Sequence, residues 1–203
     1  MTLLFVCTGN ICRSALADRL AAQWSEPGLP VASAGTRAVD GRRMHPLTAA
    51  VLERHRGTAE HFRSRQLTPS VLADAGLVLT MTGEHRDAVL LMSPRHLHSA
   101  FTLQEAATLL ADLPAVRLGG PPADRPAALA RRLAGARAVR RRDRAAAADD
   151  IADPIGGSPS VHSRIGGQVA IGVRAVTDAL RDPSGGDALT VRMRRLPPVP
   201  TVS

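Results

Sequence analysis

Short apolar runs alternate along the chain with amphipathic stretches of helical length. The apolar runs cover residues 3–6, 30–34, 77–79 and 101–103. The first run, Leu-Leu-Phe-Val, is apolar at every position, as expected of a strand that is covered on both faces. Strands that alternate with helices predict an α/β fold, a doubly wound parallel sheet of four strands with helices on both faces.

The stretches between and after these runs carry apolar residues at helical spacing. The first predicted helix begins at about Ser14 and turns Leu16 and Leu20 to one face. Further helices are predicted at 47–56, 84–91 and 161–180. In the last of them we expect Ile171 and Val176 to face the core.

The loop after the first strand lies where this fold places its chemistry, beyond the carboxyl ends of the strands. It runs from Cys7 to Ser14 with the sequence CTGNICRS. Such a loop can curl so that its backbone N–H groups converge on an anion, and the following helix N-terminus adds positive potential. We expect Gly9 to supply the positive φ of this curl, and Asn10 tolerates such a φ better than most residues.

The side chains of the loop favour phosphoryl transfer. The planar guanidinium of Arg13 matches two phosphate oxygens. Cys7 stands in a field that favours its thiolate, and a thiolate that faces a bound phosphate is an in-line nucleophile. Ser14 can donate a hydrogen bond to that sulfur. The Cys-to-Arg spacing alone carries little weight in a chain this rich in arginine, and the specificity comes from the whole strand–loop–helix pattern.

Composition narrows the function classes. A chain of 203 residues with 44% hydrophobic residues suits one domain with its own core. Aromatic residues make up 2% and Tyr is absent, which excludes a reader of single-stranded nucleic acid built on stacked rings. No apolar run is long enough to span a membrane. The first residues lack a secretory signal pattern, so we expect a cytoplasmic protein.

Cys7 and Cys12 are the only cysteines of the chain. Two are too few for a disulfide framework, and no histidine follows them at the spacing of a zinc finger. Each is therefore either a small buried apolar side chain or a reactive thiol.

The net charge of +8 is concentrated in one segment. All 26 basic residues are Arg, and nine of them lie between residues 117 and 144. We interpret residues 115–148 as an Arg-rich insert, solvated and half-ordered; a patch that binds polyanions is the alternative. Pro and Gly residues in 183–203 predict a disordered tail without a core of its own.

The string LLFVCTGNICRS closely resembles the phosphate loop of the low-molecular-weight protein tyrosine phosphatases. The resemblance continues at 33–36, 61–66, 81–85 and 153–156 and covers about residues 2–112 and 149–182. It implies a phosphatase domain at 1–182 with the same four-stranded fold. It further implies a cysteine-dependent hydrolase without metal or other cofactor, which acts on a phosphotyrosine-containing protein or a small aryl phosphate.

A general acid must come from another part of the chain, because displacement of an aryloxide needs a proton on the leaving oxygen. The residues alone leave Asp149, Asp150 and Asp153 as candidates. The resemblance selects Asp153, which precedes Pro154. The same carboxylate would later take a proton from the water that attacks the phosphocysteine.

The resemblance implies further roles inside and around the loop. It assigns phosphate binding to Thr8, Gly9, Asn10, Ile11, Cys12 and Ser14. A hydrogen-bond network that supports the loop would consist of Asn10, Ser14, Ser33 and His61. Cys12 would form a reversible disulfide with Cys7 that protects the nucleophile from irreversible oxidation.

The chain departs from the family after Asp153, because Ile155 and Gly156 stand where aromatic residues usually wall the cleft. Stacking on a substrate ring is weakened, so phosphomonoester hydrolysis is predicted more firmly than a preference for phosphotyrosine.

Three alternatives stay open. Protein-arginine phosphatases share the loop but carry Thr where Ile11 stands. Arsenate reductases of this fold use cysteines elsewhere in the chain, and this chain has none. The third alternative is a non-catalytic phosphate-binding regulatory module.

Overall fold

The computed structural model describes residues 1–114, 118–140 and 150–181, and within these ranges four strands form one parallel sheet. The strands are β1 (Thr2–Cys7), β2 (Val31–Gly35), β3 (Ala75–Thr80) and β4 (Ala100–Thr102). They lie in the order β2-β1-β3-β4, and all neighbours pair in parallel. This confirms the predicted doubly wound parallel sheet. The register aligns Cys7 at the end of β1 with Gly35 at the end of β2.

Helices cover both faces of the sheet. They are α1 (Arg13–Trp24), α2 (Pro46–Arg54), α3 (Pro69–Ala73), α4 (Gly83–Met92), α5 (Leu103–Asp112), α6 (Arg125–Arg140) and α7 (Pro159–Leu180). Short 3-10 turns at Pro94–His98 and Pro122–Asp124 precede β4 and α6. The four predicted helices correspond to α1, α2, α4 and α7, whereas α3, α5 and α6 were not predicted.

Strand β1 divides the core, because its alternate side chains point to opposite faces of the sheet. Leu3 and Phe5 pack with α1 and α7 in the larger apolar cluster. Leu4 and Val6 belong to the second cluster, with Leu72 of α3. All four β1 side chains are almost completely buried, as the continuous apolar run predicts for a strand covered on both faces.

The prediction that Ile171 faces the core is wrong. Its residue surface is 71% exposed, whereas Val176 is buried. The buried stripe of α7 passes through Val169 and Val173, four residues apart. Ile171 lies halfway between them, which is about 200° around a helix of 3.6 residues per turn and therefore on the opposite face.

Helix α6 lies inside the segment that the sequence predicts to be a solvated, half-ordered insert, and its packing corrects that expectation. Leu129, Ala130 and Leu133 are buried in the larger apolar cluster. The helix packs against β3, where an added Cβ at Gly76 would lie 3.0 Å from the backbone nitrogen of Ala127. The described part of the insert is thus a layer of the core.

Three of the five described arginines of α6 form ion pairs with the rest of the domain. Arg137 forms two hydrogen bonds of 2.6 and 2.7 Å to Glu105 of α5, and its guanidinium lies over the ring of Phe101. The other two pairs join Arg125 to Glu26 and Arg140 to Asp112. These side chains neutralise part of the charge that suggested a polyanion-binding patch.

Several predictions concern residues outside the described ranges. They include Asp149, the basic residues Arg117, Arg141, Arg142 and Arg144, and the tail at 183–203. The domain boundary at residue 182 stays a prediction for the same reason. In the part of the chain that the structure describes, no helix has the length and apolarity needed to cross a membrane.

Replacement of Leu133 by Ala tests whether the insert belongs to the core. Leu133 is fully buried, so the cavity should lower the free energy of unfolding by about 2–5 kcal/mol. Val139→Ala is the matched control, because Val139 is 67% exposed on the same helix and its loss should change stability by no more than about 0.5 kcal/mol. Urea unfolding followed by circular dichroism measures both, and equal small effects would contradict the packing of α6.

Candidate active site

The loop between β1 and α1 is held by the chain that follows β2 and leads into α2. The backbone N–H of Thr36 donates to the carbonyl of Cys7, and that of Arg37 donates to the carbonyl of Thr8, both at 2.9 Å. Further along, the N–H of His45 donates to the carbonyl of Ile11 at 2.9 Å. Three carbonyls of the loop are thus held from outside the loop, which fixes its backbone in place, as a loop whose N–H groups bind an anion requires.

The left-handed residue of the loop is Asn10, with a φ of 51°, and not Gly9 as the sequence suggested. Asn10 is fully buried. Its side chain stabilises the unusual backbone, because Nδ2 donates to the hydroxyl of Ser14 and Oδ1 accepts from the N–H of Arg65, each at 2.9 Å. An asparagine serves here because it tolerates positive φ and also carries a donor and an acceptor.

Gly35 is required by the close approach of the loop to the end of β2. A Cβ at this position would lie 2.4 Å from the carbonyl oxygen of Thr8 and 2.9 Å from the backbone nitrogen of Asn10. Both atoms belong to the backbone of the loop and cannot rotate away. Sequence analysis located Gly35 only as the end of a strand, because close approach between segments is a tertiary property.

Cys7 lies at the base of the loop with 2% of its residue surface exposed. Its Sγ is 2.9 Å from Oγ of Ser14. Ser14 Oγ accepts from Asn10, and its own hydrogen has two acceptors within reach: the sulfur of Cys7 at 2.9 Å and the carbonyl of Ala34 at 3.4 Å, of which the sulfur is the nearer. Ser14 thus lies where the loop sequence predicts a hydrogen-bond donor to the sulfur, and its role toward the thiolate stays a prediction.

The guanidinium of Arg13 joins the loop to the segment before α7. It is 4% exposed; Nη1 donates to the carbonyl of Ile151 at 2.9 Å and Nη2 donates to Oδ2 of Asp153. These partners are separated from Arg13 by nearly 140 positions of the chain. Nε of Arg13 is buried without a hydrogen-bond partner. The structure thus brings together Arg13 and the aspartate that the family resemblance selects.

The neighbouring carboxylates are anchored differently. Asp150 accepts a 2.7 Å hydrogen bond from the N–H of Gly83, at the start of α4. Asp153 is 43% exposed and its second oxygen accepts from the N–H of Ile155 at 3.1 Å. Because Asp150 is turned toward α4, Asp153 is the described candidate whose carboxylate contacts the loop.

His85 is a site residue to which the sequence analysis assigned no role. Its Nε2 lies 2.8 Å from Oγ1 of Thr8 in the loop, and its Nδ1 lies 2.8 Å from Oγ1 of Thr82. Burial, with the positive charge of Arg13, lowers its pKa from 6.5 to about 4. The imidazole is therefore neutral near pH 7, with one nitrogen free to donate and the other to accept, and it links the loop to α4.

The predicted supporting network is only partly present. Asn10 and Ser14 are bonded to each other as expected. The hydroxyl of Ser33 donates instead to Oδ2 of Asp18 at 2.6 Å, and burial raises the pKa of that carboxyl. The backbone carbonyl of Ser33 accepts from Nε of Arg65, the residue whose N–H also holds Asn10. Arg65 is thus the connecting member that sequence analysis missed.

The assignment of His61 to this network is wrong. Its side chain is 86% exposed, and the ion pair it forms is with Glu60, at 3.9 Å. The next residue, Phe62, is the one that points inward, with 2% exposure. In extended or turn-like chain a one-residue offset reverses the direction of a side chain, so the sequence could not show which of the two neighbours is buried.

Cys12 is buried, with 3% exposure. Burial raises its pKa to about 11, against a smaller opposing effect of a hydrogen bond from Thr48. The side chain is therefore a neutral thiol at pH 7. Cys7 and Cys12 are both free thiols, and their reversible disulfide stays a prediction.

Known proteins similar to this chain are phosphatases of one family. The sequence profile of the family described as low molecular weight phosphotyrosine protein phosphatase matches residues 2–111. A probable low molecular weight protein-tyrosine-phosphatase, EpsP, of Ralstonia nicotianae is 38% identical over 104 residues, 51% of this chain and 71% of the relative. A protein-arginine-phosphatase of Geobacillus stearothermophilus is 38% identical over 103 residues, 51% of this chain and 69% of the relative.

A solved structure extends the similarity over the whole fold. The YwlE arginine phosphatase from Geobacillus stearothermophilus superposes with a TM-score of 0.65 at 27% identity. The superposition covers 88% of this chain and 92% of that chain. With its strand order, its loop and a profile match over more than half of its length, the chain belongs to the low molecular weight phosphotyrosine protein phosphatase family, a family of cysteine-dependent phosphatases.

Proposed function

We propose that this protein hydrolyses phosphotyrosine in proteins through a phosphocysteine on Cys7, with Arg13 binding the phosphate and Asp153 acting as general acid and base. The observation that carries the proposal is the hydrogen-bonded pair of Arg13 and Asp153 at the end of the loop that holds Cys7. Reactive sulfur and free thiols require a reducing compartment, which supports a cytoplasmic location.

In the first step the Cys7 thiolate attacks phosphorus, a P–S bond forms and the P–O ester bond breaks. Asp153 in its acid form delivers a proton to the leaving oxygen, which departs as a neutral alcohol or phenol. The guanidinium of Arg13 and the backbone N–H groups of the loop stabilise the negative charge on the remaining phosphate oxygens. These N–H groups belong to Thr8, Gly9, Asn10, Ile11, Cys12 and Ser14.

In the second step water replaces the sulfur. The Asp153 carboxylate accepts a proton from the attacking water, the P–S bond breaks and inorganic phosphate is released. The hydrogen bond from Ser14, with its 2.9 Å contact to Sγ, stabilises the departing thiolate. The acid form of Asp153 is thereby restored for the next turnover.

The ion pair between Arg13 and Asp153 must yield when phosphate binds. Nη2 of Arg13 donates to the carboxylate in the structure and would donate to a phosphate oxygen instead. Nη1 would keep its hydrogen bond to the carbonyl of Ile151. Asp153 is 43% exposed and so has room to turn toward the leaving group. A phosphate dianion competes well with a carboxylate for a guanidinium, because both match the same planar fork.

Ile155 offers an apolar contact to the ring of an aryl substrate but does not select that ring over other apolar groups. It is 53% exposed, two residues beyond the proposed acid. Gly156 follows it with a φ of 75° and adds no side chain. An apolar wall of this kind buries a ring but offers no stacking. Substrate preference therefore depends on the loop. Phosphoarginine is the competing substrate, because a relative at 38% identity bears the name protein-arginine-phosphatase.

Cys7→Ser should abolish the phosphocysteine intermediate. We expect turnover of p-nitrophenyl phosphate to fall roughly 1,000-fold or more, with loss of the burst of p-nitrophenol, while binding of inorganic phosphate is retained. Rapid-mixing absorbance measures the burst, and isothermal titration calorimetry measures phosphate binding. A burst that survives in the variant would show that another group is the nucleophile.

Asp153→Asn should lower turnover by an amount that depends on the pKa of the leaving group. Phenol, with a pKa of ~10, needs protonation, so turnover of phenyl phosphate should fall about 10²–10⁴-fold. An ester with a far more acidic phenol as leaving group should lose much less. Asp150→Asn is the matched control, since Asp150 is bonded to Gly83; a leaving-group effect in that variant and not in Asp153→Asn would reverse the assignment.

Peptides that differ only in phosphotyrosine, phosphoserine or phosphoarginine test the substrate class. We expect phosphotyrosine to have the highest kcat/KM. Ile11→Thr removes the loop residue that departs from the arginine phosphatases and should shift the ratio toward phosphoarginine by roughly 10-fold or more. Val39→Thr, an equivalent change at a 63% exposed site, should leave the ratio unchanged. A wild-type preference for phosphoarginine would contradict the phosphotyrosine proposal while leaving the roles of Cys7 and Asp153 intact.

A further inference from the structure

A second cluster of reactive side chains includes Cys12 of the phosphate loop, and none of these side chains takes part in the proposed reaction. It consists of Cys12, His45 and His162 and is called the thiol–imidazole cluster below. One possible ligand atom from each residue lies within 4.8 Å of the others. The three residues come from the position before α1, the position before α2 and the first turn of α7.

The two imidazoles leave nitrogen atoms without partners. Their rings are stacked, with centroids 4.7 Å apart and planes 14° from parallel. Nδ1 of His45 and Nε2 of His162 are both buried and neither forms a hydrogen bond. His162 is 2% exposed. The carbonyl of Pro154 lies near its ring but outside hydrogen-bonding geometry. Buried polar atoms without partners are costly, so two such atoms in one cluster point to a missing ligand.

Thr48 orients the cluster. Its Oγ1 lies 3.1 Å from Nδ1 of His162, and its hydroxyl lies close enough to the side chain of Cys12 to oppose the burial-driven rise of that thiol's pKa. When Nδ1–H of His162 donates to this oxygen, the hydroxyl hydrogen is directed at the sulfur and the lone pair of Nε2 is left free. Metal-binding histidines have this arrangement, in which the second ring nitrogen is fixed by a hydrogen-bond partner. A small cavity adjoins the same residues, lined by Cys12, Thr48 and His162 among others.

We propose that Cys12, His45 and His162 form a binding site for a zinc ion, separate from the phosphate site of Cys7. One sulfur and two imidazole nitrogens are the donors that Zn²⁺ prefers, and three protein ligands leave its fourth position open. A tetrahedral zinc ion holds such atoms about 3.3–3.6 Å apart. In the stacked arrangement the ring planes of His45 and His162 are 14° from parallel, so their in-plane lone pairs do not meet at one point. Completion of the site therefore requires the partly buried His45 ring to rotate out of the stack, in addition to a shortening of the separations. On binding, Cys12 loses its thiol proton to solvent and both imidazoles stay neutral.

Zinc at this position would connect three segments that shape the active site. Cys12 belongs to the phosphate loop. His45 precedes α2 and donates its backbone N–H to the loop carbonyl of Ile11. His162 lies in the first turn of α7, the helix that follows Asp153. The metal would also occupy the sulfur that the family resemblance assigns to a disulfide with Cys7. Metal binding would therefore affect the conformation of the phosphate loop, and the metal would not act as a catalytic group.

Binding of Co²⁺ to the full chain, followed by displacement with Zn²⁺, tests the proposal independently of phosphatase activity. We expect one Co²⁺ per chain, with the near-ultraviolet charge-transfer absorption of a thiolate ligand and the intense visible bands of tetrahedral cobalt. Cys12→Ser and His162→Gln should each weaken binding by more than about 100-fold, since loss of an outer-shell partner alone costs about 10–100-fold. Thermal unfolding without metal verifies that each variant is folded.

Two matched variants identify the ligands. Cys7→Ser should retain the thiolate absorption, which assigns the sulfur to Cys12. His61→Gln, an equivalent change at a histidine that is 86% exposed, should bind with unchanged affinity. The proposal is overturned if the wild-type chain shows no thiolate absorption, if the absorption disappears in Cys7→Ser, or if folded His162→Gln binds as tightly as the wild type.

Discussion

The site depends on one buried asparagine that keeps the phosphate loop in a left-handed turn. A positive φ is costly for a residue with a side chain. Asn10 compensates for that cost by bonding Ser14 on one side and the backbone of Arg65 on the other. The first bond also turns the serine hydroxyl toward the sulfur of Cys7. The hydrogen bonds that fix the conformation of the loop are therefore connected to the one that reaches the sulfur of Cys7, the proposed nucleophile.

The second constraint is the contact between distant parts of the chain. Between β4 and the proposed acid the chain has α5, α6 and two segments outside the described residues, 115–117 and 141–149, yet Asp153 still reaches Arg13. It does so because residue Ile151 is tied to the end of β3 through the carbonyl of Met81, at 2.8 Å, and to Arg13. Helix α6 meanwhile buries Leu133 on the sheet. The inserted chain thus extends the core and does not displace the acid.

The two cysteines of the loop point to different surroundings, the proposed phosphate site and the thiol–imidazole cluster. One cysteine of the loop is directed at Ser14 and the proposed phosphate site. The other is directed at Thr48 and the two stacked histidines. A ligand on either side acts on the same short stretch of backbone. The proposed phosphate chemistry on Cys7 and the proposed metal binding on Cys12 would therefore be physically coupled, although they use different atoms.

The sequence alone determined the positions of the strands, the loop from Cys7 to Ser14 and the family. These features can be recognised from neighbouring residues: apolar runs of strand length, the residue types of the loop, and the apolar spacing of the helix that follows it. The same signals identified Cys7, Arg13 and Ser14, which share one loop. Tertiary structure decided what depends on contacts between segments: that Phe62 and not His61 is buried, that Gly35 must lack a Cβ, and that Arg65 joins the network. It also decided the thiol–imidazole cluster, whose residues are brought together from the positions before α1 and α2 and from the first turn of α7. Such contacts leave no periodic or spacing signal, since their residues become neighbours only when the chain folds.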